Sequence, residues 1–140
     1  MCHYQIGIAL TGLTAFFPST GERGQANGLA ETRVVEFSPA VVANVSAADV
    51  NIVLQDLNVK PVERFDLIIA TNILIYYDAF QQALALVNIE KMLKPGGIFL
   101  CNNSLLELDS SNVHSIGYTT VKYSTLPPSG DVIVWYQKSR

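Results

Sequence analysis

Two segments carry the strongest structural signals in the sequence: RFDLIIATNILIYY, residues 64–77, and MLKPGGIFL, residues 92–100. Phe65–Ala70 is almost continuously apolar, which is typical of a strand that is buried on both faces of a parallel sheet. A second strand is predicted to begin at Ile98 and run to Cys101. Because a helical pattern separates these two strands, they are predicted to lie parallel in one sheet.

The segment between the two strands predicts a long helix over Ala79–Leu93. Asp78 is the expected N-cap, and Lys91 and Lys94 lie in the last turn, where cations complement the helix dipole. Pro95-Gly96-Gly97 is expected to end the helix. Helical spacing predicts a core face made of Phe80, Ala83, Leu84 and Val87.

Upstream, the pattern alternates between strands and helices. Arg33–Phe37 predicts a short strand, Ser38-Pro39 begins a short helix over Ala40–Ala47, and Asp49–Gln55 predicts another strand. Tyr4–Leu10 predicts a first strand. Glycine-rich Pro18–Ala30 is predicted to be a loop. The order favours a mostly parallel sheet that is covered by helices.

The C-terminal part predicts a different arrangement. Gly117–Tyr123 and Asp131–Tyr136 alternate between apolar and polar residues, and the turn sequence LPPSG, Leu126–Gly130, separates them. An antiparallel hairpin is therefore expected at one edge of the sheet. The predicted fold class is α/β, a doubly wound, mostly parallel sheet with a C-terminal antiparallel hairpin, in a single domain over residues 1–140.

Composition limits the functional classes. The net charge is −3 and there is no run of Lys and Arg, so binding to nucleic acid is not expected. Cys2 and Cys101 lie far apart, which favours free thiols and excludes a cysteine metal motif. The apolar stretch Ile6–Phe17 is too short to span a membrane, and a cytoplasmic protein is expected. With 49% hydrophobic and 15% charged residues, either the sheet is buried on both faces or apolar surface is left for a partner.

In an open α/β sheet, ligands bind at the carboxyl ends of the strands, so the residues that follow each strand are the candidate site residues. Glu36 could accept hydrogen bonds from ribose hydroxyls, or be an ordinary solvated acid. Asp56, with Leu57 beside it, could bind an adenine amine, or simply form a turn. Thr71 and Asn72 could line the cleft, or only satisfy backbone groups of a turn.

The order of these segments resembles the class I S-adenosylmethionine-dependent methyltransferases. The matching segments are RVVEFSP (33–39), VLQDL (53–57), RFDLIIATNILIYY (64–77) and MLKPGGIFL (92–100). The terminal pair GYTTVKY and DVIVWYQ resembles the antiparallel sixth and seventh strands of that family. The recognisable core spans residues 33–140, whereas residues 1–32 are atypical and partly loop.

The resemblance implies S-adenosylmethionine as the cofactor and methyl transfer to an unidentified acceptor, expected to be a small molecule. By position, Glu36 would hold the ribose hydroxyls, Asp56 and Leu57 would lie by the adenine, and Thr71 and Asn72 would face the methionine part or the acceptor. In-line methyl transfer can rest on positioning, so no catalytic residue and no metal are assigned.

The first motif departs from the family pattern. QIGIALTGLTAFF, residues 5–17, contains Gly7 and Gly12 but no acidic residue followed by the glycine-rich turn, so the chain reads as truncated or degenerate at this point. An alternative function is therefore a non-catalytic methyltransferase-like module or fragment that associates with a partner chain, including a second copy of itself. A third class, an unrelated nucleotide-binding domain, is disfavoured because no GxxxxGK[ST] loop is present.

Overall fold

The computed structural model describes residues 23–26, 30–33, 38–122 and 130–140. The predicted strand Tyr4–Leu10, Glu36 with most of its predicted strand, and most of the predicted turn Leu126–Gly130 lie outside the described residues. The regular elements are β1 (Arg23–Ala26), β2 (Ala30–Arg33), α1 (Pro39–Val42), β3 (Phe65–Ala70), α2 (Ala79–Met92), β4 (Leu93–Cys101), β5 (Val113–Lys122) and β6 (Gly130–Lys138), with 3-10 turns at Pro61–Glu63 and Leu74–Tyr76.

The main sheet has four strands in the order β3-β4-β6-β5. β3 and β4 are parallel, which confirms the pairing predicted for the segments on either side of α2. β5 and β6 form the predicted antiparallel pair, and β6 joins the sheet beside β4 in the antiparallel sense. The described sheet is therefore mixed, and the prediction of a mostly parallel sheet is wrong for this part of the chain. The terminal hairpin supplies half of its strands.

Two upstream predictions need correction. The region predicted as a loop, Pro18–Ala30, contains β1 and the first residue of β2, which pair in the antiparallel sense with Arg23 opposite Arg33 and Ala26 opposite Ala30. Backbone pairing defines this ladder, and its sequence RGQA/AETR has no apolar alternation that would have predicted it. The predicted helix Ala40–Ala47 is the shorter α1, and the Asn44 side chain hydrogen-bonds back to the Ala40 carbonyl at 2.8 Å just after it ends.

The predicted strand Asp49–Gln55 is a turn. The backbone N–H groups of Leu54 and Gln55 donate to the Asn51 carbonyl at 3.0 and 2.8 Å, and the Val53 N–H donates to Asn51 Oδ1 at 3.1 Å. An asparagine side chain that bonds its neighbouring backbone competes with strand pairing. Of the apolar residues that suggested a strand, Ile52 and Val53 are buried in the core, whereas Leu54 is 74% exposed. The Asn88 Nδ2 of α2 donates to the carbonyls of Ile52 and Val53 and holds this turn against the helix.

Helix α2 begins as predicted at an Asp78 cap. The Gln81 N–H donates to Asp78 Oδ1 at 2.8 Å, and the Asp78 N–H donates to the Gln81 side chain at 3.1 Å, which forms a reciprocal capping box. The predicted core face is wrong in part: Phe80 is 72% exposed and Val87 is exposed, although Leu84 packs against the core. The apolar residues of α2 form two overlapping stripes along the helix, and only one of these stripes packs against the sheet. The buried residues of α2 are Ala85, Leu86, Asn88, Ile89 and Met92.

The LKPGG segment joins α2 to the sheet without a loop. The helix ends at Met92, before the predicted Pro95-Gly96-Gly97 stop, and Leu93 already pairs with Phe65. The next pair is Leu67 with Ile98, so extra residues of β4 bulge between the two pairs. A Cβ on Gly97 would lie 2.9 Å from the Lys94 carbonyl oxygen and 3.1 Å from that of Phe65. Only glycine fits this close backbone approach, which gives the motif a structural role.

Helix α2 covers one face of the sheet. Phe99, Cys101 and Tyr136 on that face join the core with the buried residues of α2. On the opposite face Leu67, Ile69 and Trp135 remain 43%, 54% and 41% exposed. A doubly wound sheet has helices on both faces. In the residues that the structure describes, no helix covers this second face, so only the coarser α/β assignment is confirmed.

Candidate functional site

The carboxyl ends of β3 and β4 meet at one edge of the sheet, which we call the carboxyl edge. Ala70 and Cys101 pair as the last residues of the two strands, and Thr71-Asn72 and Asn102 follow them directly. The Asn72 N–H donates to Asn102 Oδ1 at 2.9 Å, and the Asn102 Nδ2 donates to Asn72 Oδ1 at 2.7 Å. The two asparagines therefore link the strand ends, and Thr71 and Asn72 are exposed at the predicted position.

Asp56 and Leu57 lie at the opposite, amino edge of the sheet. Asp56 Oδ2 is 3.6 Å from the Lys91 Nζ, and the Leu57 N–H points to the Met92 sulfur at 3.4 Å. Lys91 and Met92 are the last residues of α2 before Leu93, which pairs with the first residue of β3. Asp56 also accepts the Asn58 N–H at 2.7 Å, as expected of a turn aspartate.

The predicted cofactor residues are therefore not gathered into one cleft in the described structure. Thr71 and Asn72 lie together at the carboxyl edge, whereas Asp56 and Leu57 lie at the amino edge. The two edges are separated by roughly 17 Å, the length of a strand such as β3 at about 3.3 Å per residue. The physical reason is the turn at Asn51, which replaces the strand that would have carried Asp56 to the carboxyl edge.

The amino edge is held together by charged groups. Lys138 donates to the carbonyls of Glu90 and Leu93 at 2.7 and 3.2 Å, where it complements the end of α2. The Glu90 carboxylate accepts hydrogen bonds from Ser111 and from both the N–H and the side chain of Asn112. Burial tends to raise the pKa of Glu90, but these hydrogen bonds and the Lys138 charge outweigh it and hold the pKa below 4.5.

Two ionisable groups lie beneath the carboxyl edge and are neutral near pH 7. Burial raises the pKa of the Cys101 thiol to about 11, and a backbone hydrogen bond with Asn103 offsets only part of this rise. Burial also raises the pKa of Tyr136, whose hydroxyl accepts the Leu105 N–H at 2.7 Å. A thiol or phenol that stays protonated is a poor nucleophile and a poor base. Neither group is therefore suited to activate an acceptor.

Sequence reasoning missed the asparagines that follow β4. Asn102 completes the pair with Asn72, and the Oδ1 of Asn103 is buried without a hydrogen-bond partner. The sequence contains a signal for these asparagines, because Asn102-Asn103 follow the predicted strand Ile98–Cys101 just as Thr71-Asn72 follow the predicted strand Phe65–Ala70. The rule that ligands bind beyond strand carboxyl ends applies equally to both segments.

The carboxyl edge fits only part of the cofactor that the sequence implies. Amide donors and the Thr71 hydroxyl suit a small polar group with oxygen acceptors, such as the methionine part. The adenine contact predicted for Asp56 and Leu57 does not fit the described arrangement, because both residues are engaged at the other edge. The part of the chain that the structure describes contains no group of three or more possible metal ligands.

The fold and this edge define an α/β domain with a polar site at the ends of parallel strands. A family model described as a methyltransferase domain matches residues 15–101, which is more than half of the chain. The chain belongs to this methyltransferase family. The membership confirms the predicted relationship to class I methyltransferases and S-adenosylmethionine as the cofactor. The matched region contains Asp56, Thr71 and Asn72, but not Gln5–Leu10 or the terminal hairpin.

Two solved structures are similar to the chain. One is the crystal structure of the N-methyltransferase NodS from Bradyrhizobium japonicum WM9, with 17% identity, a TM-score of 0.46, and coverage of 66% of this chain and 59% of NodS. The other is NodS in complex with S-adenosyl-L-homocysteine, with 17% identity, a TM-score of 0.46, and coverage of 66% and 54%. This chain thus spans less than two thirds of NodS. No curated protein sequence matches it.

In the part of the chain that the structure describes, no helix is both long enough and apolar enough to cross a membrane.

Proposed function

We propose that this chain transfers a methyl group from S-adenosylmethionine to a small-molecule acceptor, and that it binds the methionine part of the cofactor at the carboxyl edge. The observation that carries the proposal is the meeting of Thr71, Asn72 and Asn102 beyond two parallel strands within the matched family region. We also propose that residues 1–140 form a single domain and that the protein is cytoplasmic.

The chemistry asks little of the protein beyond positioning. S-adenosylmethionine supplies an electrophilic methyl group, and in-line displacement is favoured by correct alignment of the reactants. Thr71 and Asn72 would bind and orient polar groups at the edge through a hydroxyl and an amide. Cys101 and Tyr136 would line the space beneath the carboxyl edge as neutral groups, because burial raises the pKa of both. No residue of this edge is assigned as a general base.

The adenosine contacts remain predictions. Glu36 lies outside the described residues, and Asp56 would have to leave Lys91 and the Asn51–Leu57 turn to reach the carboxyl edge. The ion pair with Lys91, whose Nζ is 3.6 Å from Asp56 Oδ2 near the surface, opposes this movement only weakly, since surface ion pairs contribute about 0–1 kcal/mol. The burial of Ile52 and Val53 against α2 opposes it more strongly.

Calorimetric titration of the whole chain with S-adenosylhomocysteine tests the proposal. We expect binding in the micromolar range that weakens about tenfold in Asn72→Ala, since one lost hydrogen bond to a charged group costs about 1.5 kcal/mol. Asn112→Ala is the matched control at the amino edge and should bind like the wild type. The absence of any heat at several temperatures would overturn the proposal. Glu36→Ala and Asp56→Ala then decide the two adenosine predictions separately.

The alternative function, a non-catalytic module that associates with a partner chain, is supported by one observation. Leu67, Ile69 and Trp135 leave an apolar region exposed on the sheet face opposite α2. Light scattering of the purified chain tests this alternative: a stable dimer without S-adenosylhomocysteine binding would favour it. A monomer that binds the ligand would contradict it.

A further inference from the structure

The Asn72–Asn102 pair has a hydrogen-bond pattern that fixes the orientation of both amides. The backbone N–H of Asn72 can only donate, so the Asn102 atom that faces it at 2.9 Å must be the oxygen. The other atom of the Asn102 amide is then the nitrogen, and it donates to Asn72 Oδ1 at 2.7 Å. The Asn72 Nδ2 is therefore directed away from Asn102. In the described part of the chain, no residue accepts a hydrogen bond from it.

The backbone at Asn72 is also unusual. Its φ of 57° lies in the left-handed region, and among the described non-glycine residues only Asn58 shares this property. At Asn58 the backbone N–H donates to the Asp56 side chain two residues earlier, so this turn is stabilised by a residue of its own segment. At Asn72 the acceptor comes from a residue 30 positions away on the adjacent strand end. A neighbouring strand thus holds Asn72 in a conformation that costs free energy.

We infer that Asn102 is a positioning residue, which orients the Asn72 amide so that its Nδ2 donates to a carboxylate-bearing ligand at the carboxyl edge. The inference rests on the proposed function and adds the group of the ligand that this edge recognises. Asn102 itself need not touch the ligand. Its two hydrogen bonds fix the backbone of Asn72 and prevent its amide from rotating, so the donor is in place before the ligand arrives.

The test compares two ligands that differ in the recognised group. S-adenosylhomocysteine carries the amino acid carboxylate, whereas 5′-methylthioadenosine contains the adenosine and the thioether but no amino acid. Asn72→Asp keeps an oxygen for Asn102 and tolerates a positive φ, but replaces the donor with a negative oxygen. We expect Asn72→Asp to weaken S-adenosylhomocysteine binding at least tenfold and to leave 5′-methylthioadenosine binding unchanged, because only the first ligand meets the lost donor.

The Asn102→Ala variant tests the positioning role. It leaves the Asn72 side chain intact but removes both hydrogen bonds that hold it, so we expect a loss of about five- to tenfold for S-adenosylhomocysteine alone. Asn112→Ala removes an asparagine that bonds across elements at the amino edge, and it serves as the control for general destabilisation. The thermal midpoint is recorded for each variant, so that unfolded protein is not scored as weak binding.

The outcomes separate this inference from the proposed function. If Asn72→Asp and Asn102→Ala reduce the affinity for both ligands equally, the pair is only a structural clamp and the inference is overturned, while the proposed function stands. If both variants bind both ligands like the wild type, the inference is likewise overturned. If the wild type binds neither ligand, the proposed function fails and the inference fails with it.

Discussion

The two edges of the sheet are built from different interactions. At the amino edge, charged side chains link neighbouring elements: Lys138 binds the carbonyls at the end of α2, Glu90 of α2 binds Ser111 and Asn112, and Lys94 of β4 pairs with Asp66 of β3 at 2.7 Å. At the carboxyl edge, the neutral Asn72–Asn102 pair links the strand ends, and Thr71 beside it is exposed. Polar groups at the amino edge are thus used within the protein, whereas at the carboxyl edge no residue in the described part of the chain accepts a hydrogen bond from the Asn72 Nδ2.

This difference follows from the direction of the chain. A helix that connects two parallel strands delivers its C-terminus, with unpaired carbonyl groups, to the amino edge. Those carbonyls attract a cation such as Lys138. At the carboxyl edge, the N-terminus of α2 is capped by its own Asp78 and Gln81. The residues that follow the strands are therefore not needed to cap the helix and are available for recognition. The three predictions below test this contrast, beginning with the largest effect.

The strongest test compares two apolar residues on the same helix. Ile89 is fully buried near the amino edge, and Phe80 is 72% exposed in the first turn. We expect Ile89→Ala to lower the free energy of unfolding by about 2–5 kcal/mol, because it removes core contacts and leaves a cavity. Phe80→Ala should change it by less than about 0.5 kcal/mol. Urea titrations of both variants measure this, and equal effects would contradict the assigned core face.

A smaller effect is expected from the close approach at the start of β4. Gly97→Ala would place a Cβ 2.9 Å from the Lys94 carbonyl and 3.1 Å from that of Phe65, so the backbone must shift. We expect a loss of about 1–3 kcal/mol in the same titration. Thr71→Ala at the exposed carboxyl edge is the counterpart and should stay within about 0.5 kcal/mol. An undisturbed Gly97→Ala variant would show that this bulge is not tightly packed.

The smallest expected effect is a pH-dependent change in the stability of the protein through Glu90. Because the pKa of folded Glu90 is held below its ordinary value of 4.5, its interactions stabilise the protein above that pH and lose this contribution as the pH falls through the folded pKa. The stability difference between the wild type and Glu90→Gln should therefore be present at pH 6 and shrink below about pH 4. Thermal unfolding across this range measures it. Asn72→Ala should show a difference that does not depend on pH, since asparagine does not titrate.

Local signals predicted the best-determined parts of the fold. The apolar run of β3, the Asp78 cap of α2 and the alternating pattern of the β5-β6 hairpin each depend on residues close in sequence, and the structure confirms all three. The core face of α2 could not be predicted in this way. Its apolar residues allow two stripes, and only packing against Phe99 and Tyr136 selects the one that contains Leu86 and Ile89.

The candidate site was predictable in part for a related reason. Thr71 and Asn72 follow a strand whose identity is certain from its apolar run, so their place at the carboxyl edge follows directly. Asp56 was assigned to the end of a strand, but Asn51 bonds its own neighbours and turns the chain toward α2. Asn102 belongs to the site only because β4 lies parallel to β3, which is a relation between residues 30 positions apart.

Residue periodicity, caps and short motifs were enough to predict the strand–helix–strand unit, the terminal hairpin and the relationship to methyltransferases. The buried face of α2, the edge that Asp56 occupies and the partner that holds Asn72 could be read only from the folded structure. Each of these depends on contacts between segments distant in the chain. The physical reason is that local patterns limit the possible conformations of a segment, whereas burial and hydrogen bonding across the sheet select among them.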